Sequence, residues 1–223
     1  MLAKIKFTQV DSAYGRLKNE ILQGVLPPGY QAPEPDIANR LGMSRTPVRE
    51  ALIRLEAEGL VDLVPRRGAR VVAISRKDIC EIFEILAALE ALAAGAAAGV
   101  EAEQLPLDDI GRVLSESGSA LASSDIGAWA NLDDAFHRLI AGLCGNDRLE
   151  AEIAGFLDQV YRANTVLLRL NKAPAANVDD HRKIVEAIAR GDDEAASERA
   201  RQHRLSGLNT MKVLLQTSGL SQV

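Results

Sequence analysis

Three histidines, His137, His181 and His203, are the residues of this chain best suited to hold a metal ion. Asp133 precedes His137 by four residues, which places both side chains on one face of a helix. His181 and His203 stand at similar distances on either side of residues 190–192, so an antiparallel helix hairpin would bring them together. Such ligands suit Zn²⁺ or Ni²⁺, with Mn²⁺ or Fe²⁺ as further candidates. We therefore predict a divalent metal site; the alternative is three unrelated helical histidines.

A second group of residues has the chemistry of DNA recognition. Arg45 and Arg49 lie near the start of a predicted helix, where an arginine can donate two hydrogen bonds to guanine. The hydroxyls of Ser44 and Thr46 suit phosphate oxygens. Further basic contacts with the backbone or minor groove are expected from Arg66, Arg67 and Arg70, with Gly68 allowing close approach to phosphates. The alternative is an ordinary solvated basic face.

The elements that carry these arginines form the first part of the chain. Apolar residues at helical spacing predict a helix over 10–22, followed by helices at 36–41 and 44–58. Two β-branched runs, 60–64 and 69–74, flank the sequence Pro65-Arg66-Arg67-Gly68 and predict a hairpin with a basic tip. The pattern predicts a winged helix-turn-helix domain over 8–74, with the hairpin as its wing.

The histidines belong to a second part of different character. Ser75 and Asp78 form a capping-box pattern that begins a new helix. Helical patterns then follow one another at 79–98, 107–122, 126–143, 148–170, 178–190 and 193–216. The chain is therefore predicted to be mainly α, with an all-α bundle of six or seven helices over 78–217.

Composition and charge agree with this division. The 223 residues are 47% hydrophobic and 26% charged, the balance of a soluble globular protein. The net charge of −5 conceals 11 basic and 8 acidic residues in the first 75, so the two parts are expected to face different partners. We find no secretory signal and no apolar run long enough for a membrane span, and expect a cytoplasmic protein without a membrane partner.

The first part resembles the GntR family of bacterial transcriptional regulators. The resemblance rests on LGMSRTPVREAL at 41–52, RLEAEGL at 54–60 and the Arg67-Gly68 pair. It implies DNA contacts at Ser44, Arg45, Thr46, Arg49 and Gly68. The family often has a polar residue where this chain has Pro35, so we expect one contact to be lost.

The second part is similar to the FCD ligand-binding domain of the FadR subgroup. The resemblance implies that the metal ligands are Asp133, His137, His181 and His203. It also implies that a small organic acid binds beside the metal and changes the affinity for DNA. Such domains commonly have an arginine four residues before a glutamate, whereas this chain has Leu86 before Glu90. By residue type alone, Arg162 and Arg169 are candidate effector-binding substitutes.

These observations predict a homodimeric regulator, a repressor that binds an inverted-repeat operator in double-stranded DNA. A small organic acid at the metal site would modulate its DNA affinity. Two alternatives are a regulator for which the ion itself is the signal, and a metalloenzyme fused to a DNA anchor. We predict that the protein is not an enzyme, because the residues show no separate general base or nucleophile pattern.

Overall fold

The computed structural model describes residues 8–171, 178–218 and 222, and for residues 168–171 it describes the backbone alone. The chain divides into two compact units, Met1–Ile74 and Ser75–Val223.

The first unit begins with three helices. Helix α1 (Gln9–Leu22) starts at a capping box, in which the Thr8 side chain accepts from the Asp11 N–H and the Asp11 side chain accepts from the Thr8 N–H. Helices α2 (Glu34–Leu41) and α3 (Arg45–Ala57) follow. Gly42 separates them at φ +66°, a left-handed conformation that permits the tight turn. The predicted helix-turn-helix is confirmed.

A small antiparallel sheet completes this unit. Strands β1 (Gln31–Ala32), β2 (Val61–Val64) and β3 (Gly68–Val71) lie in the order β1-β3-β2. The β2–β3 hairpin is the predicted wing, whose register pairs Val64 with Gly68. The two-residue β1 was not predicted, because it is too short to show an alternating pattern.

The fold of this sheet requires a glycine at position 68. A Cβ added there would lie 2.1 Å from the Ala32 carbonyl oxygen, and its φ is +83°. The glycine is thus required for β3 to approach β1, whatever its contact with DNA. Sequence reasoning explained it by phosphate approach alone.

The second unit is helical, as predicted. Its described residues form six α-helices, α4 (Arg76–Ala98), α5 (Leu107–Ala122), α6 (Ile126–Gly142), α7 (Asp147–Asn171), α8 (Val178–Ala189) and α9 (Asp193–Ser218). A short 3₁₀ turn, Ala102–Gln104, separates α4 from α5. Within the described ranges, no helix is both long and apolar enough to cross a membrane.

Helix α4 packs along α9, which carries His203 of the predicted metal site. It begins at a capping box between Ser75 and Asp78. Small residues such as Ala93, Ala94 and Ala97 are fully buried, and a Cβ on Gly95 would lie 2.3 Å from Ser197 Oγ. These small side chains therefore allow α9 to pack closely along α4.

Candidate metal centre and nucleic-acid interface

The three histidines converge in the second unit. His137 lies on α6, His181 on α8 and His203 on α9, and one ring nitrogen of each lies within 4.8 Å of the other two. The Nε2 atoms of His181 and His203 are 3.1 Å apart. The hairpin of α8 and α9 thus brings these rings together across 22 residues of sequence. Three ring nitrogens at this spacing can share one ion.

Burial keeps two of these rings neutral. It lowers the pKa of His203 to about 3, helped by the charges of His137 and Arg204. It also lowers the pKa of His181 well below the ordinary value. Neutral imidazole is the form that binds a metal, so both rings are ready to do so at neutral pH.

His137 is oriented by a carboxylate from another helix. Its Nδ1 lies 3.3 Å from Glu90 Oε2, and a protonated Nδ1 can donate to that oxygen. Its Nε2 is buried and has no hydrogen-bond partner among the described residues. A buried ring nitrogen left with an open lone pair beside two neutral imidazoles fits a metal ion, and Glu90 then acts as the outer partner that fixes the ring.

Asp133, the fourth predicted ligand, stands beside the three-histidine group rather than within it. Its Oδ1 is 3.7 Å from His181 Nε2, yet the set of mutually close ligand atoms contains the three histidines alone among the described residues. Burial raises its pKa. The carboxylate is therefore close enough to join an ion after a modest adjustment of the side chain.

Arg204 holds Glu90, which the sequence analysis named only as the glutamate that follows Leu86 in the FCD pattern. Nε and Nη2 of Arg204 donate to the two Glu90 oxygens at 2.5 and 2.6 Å, and both side chains are buried. Although burial opposes it, the charges of Arg204 and His137 hold the pKa of Glu90 below its ordinary value. The FCD pattern therefore pointed to Glu90 without giving its role, whereas no pattern in the sequence assigned Arg204 to the site.

A small cavity adjoins His137. Its volume is about 10 Å³, room for about one water molecule. Its lining comes from α6, α7 and α9: Ala130, Asp133, Asp134, His137, Leu157, Val160, Tyr161, Asn164 and Arg204. Asp134 and Asp133 thus face one space, although neighbouring residues on a helix differ by about 100° in direction.

Arg162, one of the two predicted effector arginines, is not among the described residues that line this cavity. Arg162 is 2% exposed, and its Nε and Nη1 have no hydrogen-bond partner among the described residues. Burial lowers its pKa to about 10, so it stays charged at neutral pH. The side chain of Arg169 lies outside the described residues. Leu86 is fully buried in the core.

The predicted DNA-contacting residues lie on one helix and one turn of the first unit. Arg45 and Thr46 are exposed in the first turn of α3, directly after the exposed Ser44. Arg49 is 69% exposed, with its Nε 4.0 Å from Glu34 Oε1. These side chains are therefore accessible to a ligand as large as DNA.

The wing presents the remaining predicted contacts. Arg66 and Arg67 are exposed at the turn between β2 and β3, where Arg66 adopts φ +63°. Arg70 pairs with Asp62 at 2.7 Å on the same hairpin. An open groove of about 450 Å³ runs between α3 and the wing, with Arg49 and Arg66 in its lining.

Comparison with known proteins identifies the family to which this chain belongs. Residues 9–71 match the family described as bacterial regulatory proteins, gntR family, and residues 81–206 match the FCD domain. The chain belongs to the GntR family. This GntR-family protein is accordingly a DNA-binding transcriptional regulator, and its homologues are regulators rather than enzymes.

Individual relatives agree with the family. An HTH-type transcriptional regulator of Streptomyces ambofaciens is 32% identical over 85% of this chain and 79% of its own. The HTH-type transcriptional repressor GlaR of Escherichia coli is 28% identical over 86% of this chain and 91% of its own. The structure of E. coli McbR/YncC shares the fold of this GntR-family regulator, with a TM-score of 0.76, 22% identity and coverage of 93% and 98%.

Proposed function

We propose that this GntR-family regulator is a repressor whose affinity for an inverted-repeat operator is set by a small organic acid bound beside a metal ion. The observation that carries the proposal is the convergence of His137, His181 and His203 beside the buried Arg204. Three imidazoles that can share an ion and a charged arginine next to one of them, His137, provide for a cation and an anion close together.

The three histidines would hold the ion, with Asp133 as a fourth ligand. Nitrogen-rich sites of this kind suit Zn²⁺ or Ni²⁺, with Mn²⁺ or Fe²⁺ as candidates. The bound ion would supply positive charge that attracts a carboxylate. Glu90 keeps His137 in its orientation, and the packing of α6, α8 and α9 limits access by water.

Arg162 remains a proposed contact for a second acidic group of the effector, as does Arg169. The support for Arg162 is its buried, unpartnered guanidinium, because such a group gains most when an anion arrives.

DNA would be read by Arg45 and Arg49 in the major groove, while Ser44, Thr46 and the wing residues Arg66, Arg67 and Gly68 contact the backbone or minor groove. One recognition helix reads few base pairs, so two copies are needed for an inverted repeat. Ile85 and Leu92, 43% and 59% exposed and two turns apart on α4, supply an apolar face for a second copy.

The experiment begins by selecting an operator from a random DNA pool with the purified protein. Fluorescence anisotropy then compares DNA affinity for the metal-free protein, the Zn²⁺-loaded protein and the loaded protein with small carboxylic acids. We expect a symmetric operator and an affinity that falls when acid is added to the loaded protein. If the DNA affinity changes when metal is added but not when any acid is added, the protein is instead a metal sensor. The small volume of the cavity beside His137 favours this alternative.

A further inference from the structure

We propose that Ile53 is a specificity-determining residue of the DNA-binding surface, and that its side chain contacts the C5-methyl group of a thymine near the guanine bound by Arg49. This inference rests on the proposed function, since it requires that α3 lies in the major groove. It adds an apolar contact to a set of proposed DNA contacts that consists of arginines, hydroxyls and a glycine.

Ile53 is an exposed apolar side chain on the recognition helix. It is 49% exposed, whereas Val48, Leu52 and Leu55 of the same helix are buried in the core of the first unit. Among the described residues of that unit, Val25 is the one other large apolar side chain that is exposed, and it lies outside α3. Single exposed apolar side chains are common on protein surfaces, so the position of Ile53 decides what it can contact.

Ile53 continues the row of the two predicted base-reading arginines. It follows Arg49 by four residues and Arg45 by eight, so the three side chains lie along one face of α3. The row is about 12 Å long, which is the rise of about three to four base pairs. A helix that lies in the major groove therefore brings Ile53 to the base edges when the two arginines reach theirs.

The groove between α3 and the wing is apolar around Ile53. Its lining includes two side chains of β2 and three prolines: Leu63, Val64, Pro33, Pro35 and Pro65. Proline has no backbone N–H, so these three positions offer no main-chain donor to a base or a phosphate. On the base edges of the major groove, the apolar group is the thymine methyl. The surroundings of Ile53 thus favour a methyl contact over a hydrogen bond.

The apolar patch is continuous with the positive charge of the DNA-binding surface. Arg49 and Arg66 line the same groove, and their charges complement the phosphates of a duplex. A DNA strand is therefore the occupant that satisfies both the charged and the apolar part of this groove.

Neighbouring polar side chains of α3 are engaged elsewhere. Arg54 pairs with Asp11 at 2.9 Å, and its guanidinium lies over the Tyr14 ring, 4.1 Å from the centroid. Glu56 accepts a hydrogen bond from the Leu63 N–H at 2.8 Å, which ties β2 to α3. Beyond Arg49, Ile53 is thus the described side chain of α3 that lines the groove.

The test removes one methyl group from the DNA. Deoxyuridine has the hydrogen-bonding edge of thymidine without the C5-methyl, so each thymine of the selected operator is replaced by deoxyuridine, one position at a time in both half-sites. Fluorescence anisotropy measures the affinity. We expect one position to lose affinity by about fourfold for each half-site, the effect of one buried methyl group.

Ile53→Ala should remove this deoxyuridine penalty, and Ile53→Val, which keeps a branched apolar side chain, should retain most of it. The salt dependence of binding should not change in Ile53→Ala, because an apolar contact releases no counterions. Val25→Ala is the matched control and should keep the full penalty, because Val25 is 55% exposed in the same unit but does not line the groove. Arg49→Ala should relax the preference for guanine while the penalty stays.

A penalty that persists in Ile53→Ala, or a wild-type protein for which no thymine of the operator shows a penalty, would overturn the inference and leave the proposed function standing. It would also be overturned if Ile53→Ala weakened binding to the thymine and deoxyuridine operators equally, since Ile53 would then contact the deoxyribose of the backbone. If no operator can be selected, the DNA-reading part of the proposed function fails, and the inference fails with it.

Discussion

Glu90 Oε2 lies 3.3 Å from His137 Nδ1, while the same carboxylate accepts two hydrogen bonds from Arg204. One buried glutamate of α4 thus orients a candidate metal ligand on α6 and anchors a cation on α9. The sequence separation between Glu90 and Arg204 is 114 residues, so this link is a product of the tertiary fold.

We expect Glu90→Gln to weaken metal binding by roughly 10- to 100-fold, the usual effect of removing a charged outer partner of a histidine ligand. Competition with a chelating dye measures the affinity. Glu84→Gln, on the exposed face of α4, is the control and should bind metal normally. Normal metal affinity in a folded Glu90→Gln protein would show that Glu90 does not support the site.

Arg162→Met should stabilise the metal-free protein by about 1–4 kcal/mol, because it removes a buried charge that has no partner among the described residues. Urea unfolding should show a higher midpoint at an unchanged slope. Arg112→Met, at an exposed position on α5, should change stability by less than about 0.5 kcal/mol. If Arg162 contacts the effector, the stabilised variant also binds acid more weakly; a destabilised variant would contradict this view of Arg162.

The metal-free protein should lose stability as the pH falls from about 6.5 towards 3. The folded-state pKa of His203 is lowered to about 3 by burial, and that of His181 is lowered as well, whereas unfolded histidine titrates near 6.5. The unfolded chain therefore binds more protons in this window, at a cost of about 1.4 kcal/mol per pH unit for each ring.

Urea unfolding in the presence of a chelator, at pH 5, 6 and 7, measures this dependence. The His203→Asn variant should show a slope smaller by about one proton, and this comparison separates His203 from other groups that titrate in the range. Identical slopes for the two proteins would mean that the ring of His203 is not buried in the neutral form.

Arg45→Ala should weaken binding to the selected operator by about 1–3 kcal/mol and relax the preference at one base pair. Arg45 is exposed at the start of α3, where a side chain can reach base edges. Arg40→Ala removes the same charge from the same unit, but Arg40 pairs with Glu20, so we expect little effect. An Arg45→Ala protein with wild-type affinity and preference would exclude a base-reading role.

The sequence predicted those features that depend on local rules. The capping box at Ser75 marked a helix start, and the similar spacing of His181 and His203 on either side of a turn predicted that they would meet. Strand β1 was not predicted, because its two residues are too few to show an alternation of apolar and polar side chains. The Glu90–Arg204 pair and the orientation of Asp134 depend on how distant helices pack, and neither spacing nor residue type reveals that.

The most direct test of the central claim is native mass spectrometry of the freshly purified protein, before any chelator, beside the His137→Ala/His181→Ala variant. We predict one metal ion per protomer in the wild type and none in the folded variant. A folded wild-type protein that carries no metal, even after addition of Zn²⁺, Ni²⁺ and Mn²⁺, would contradict the assignment of the three histidines.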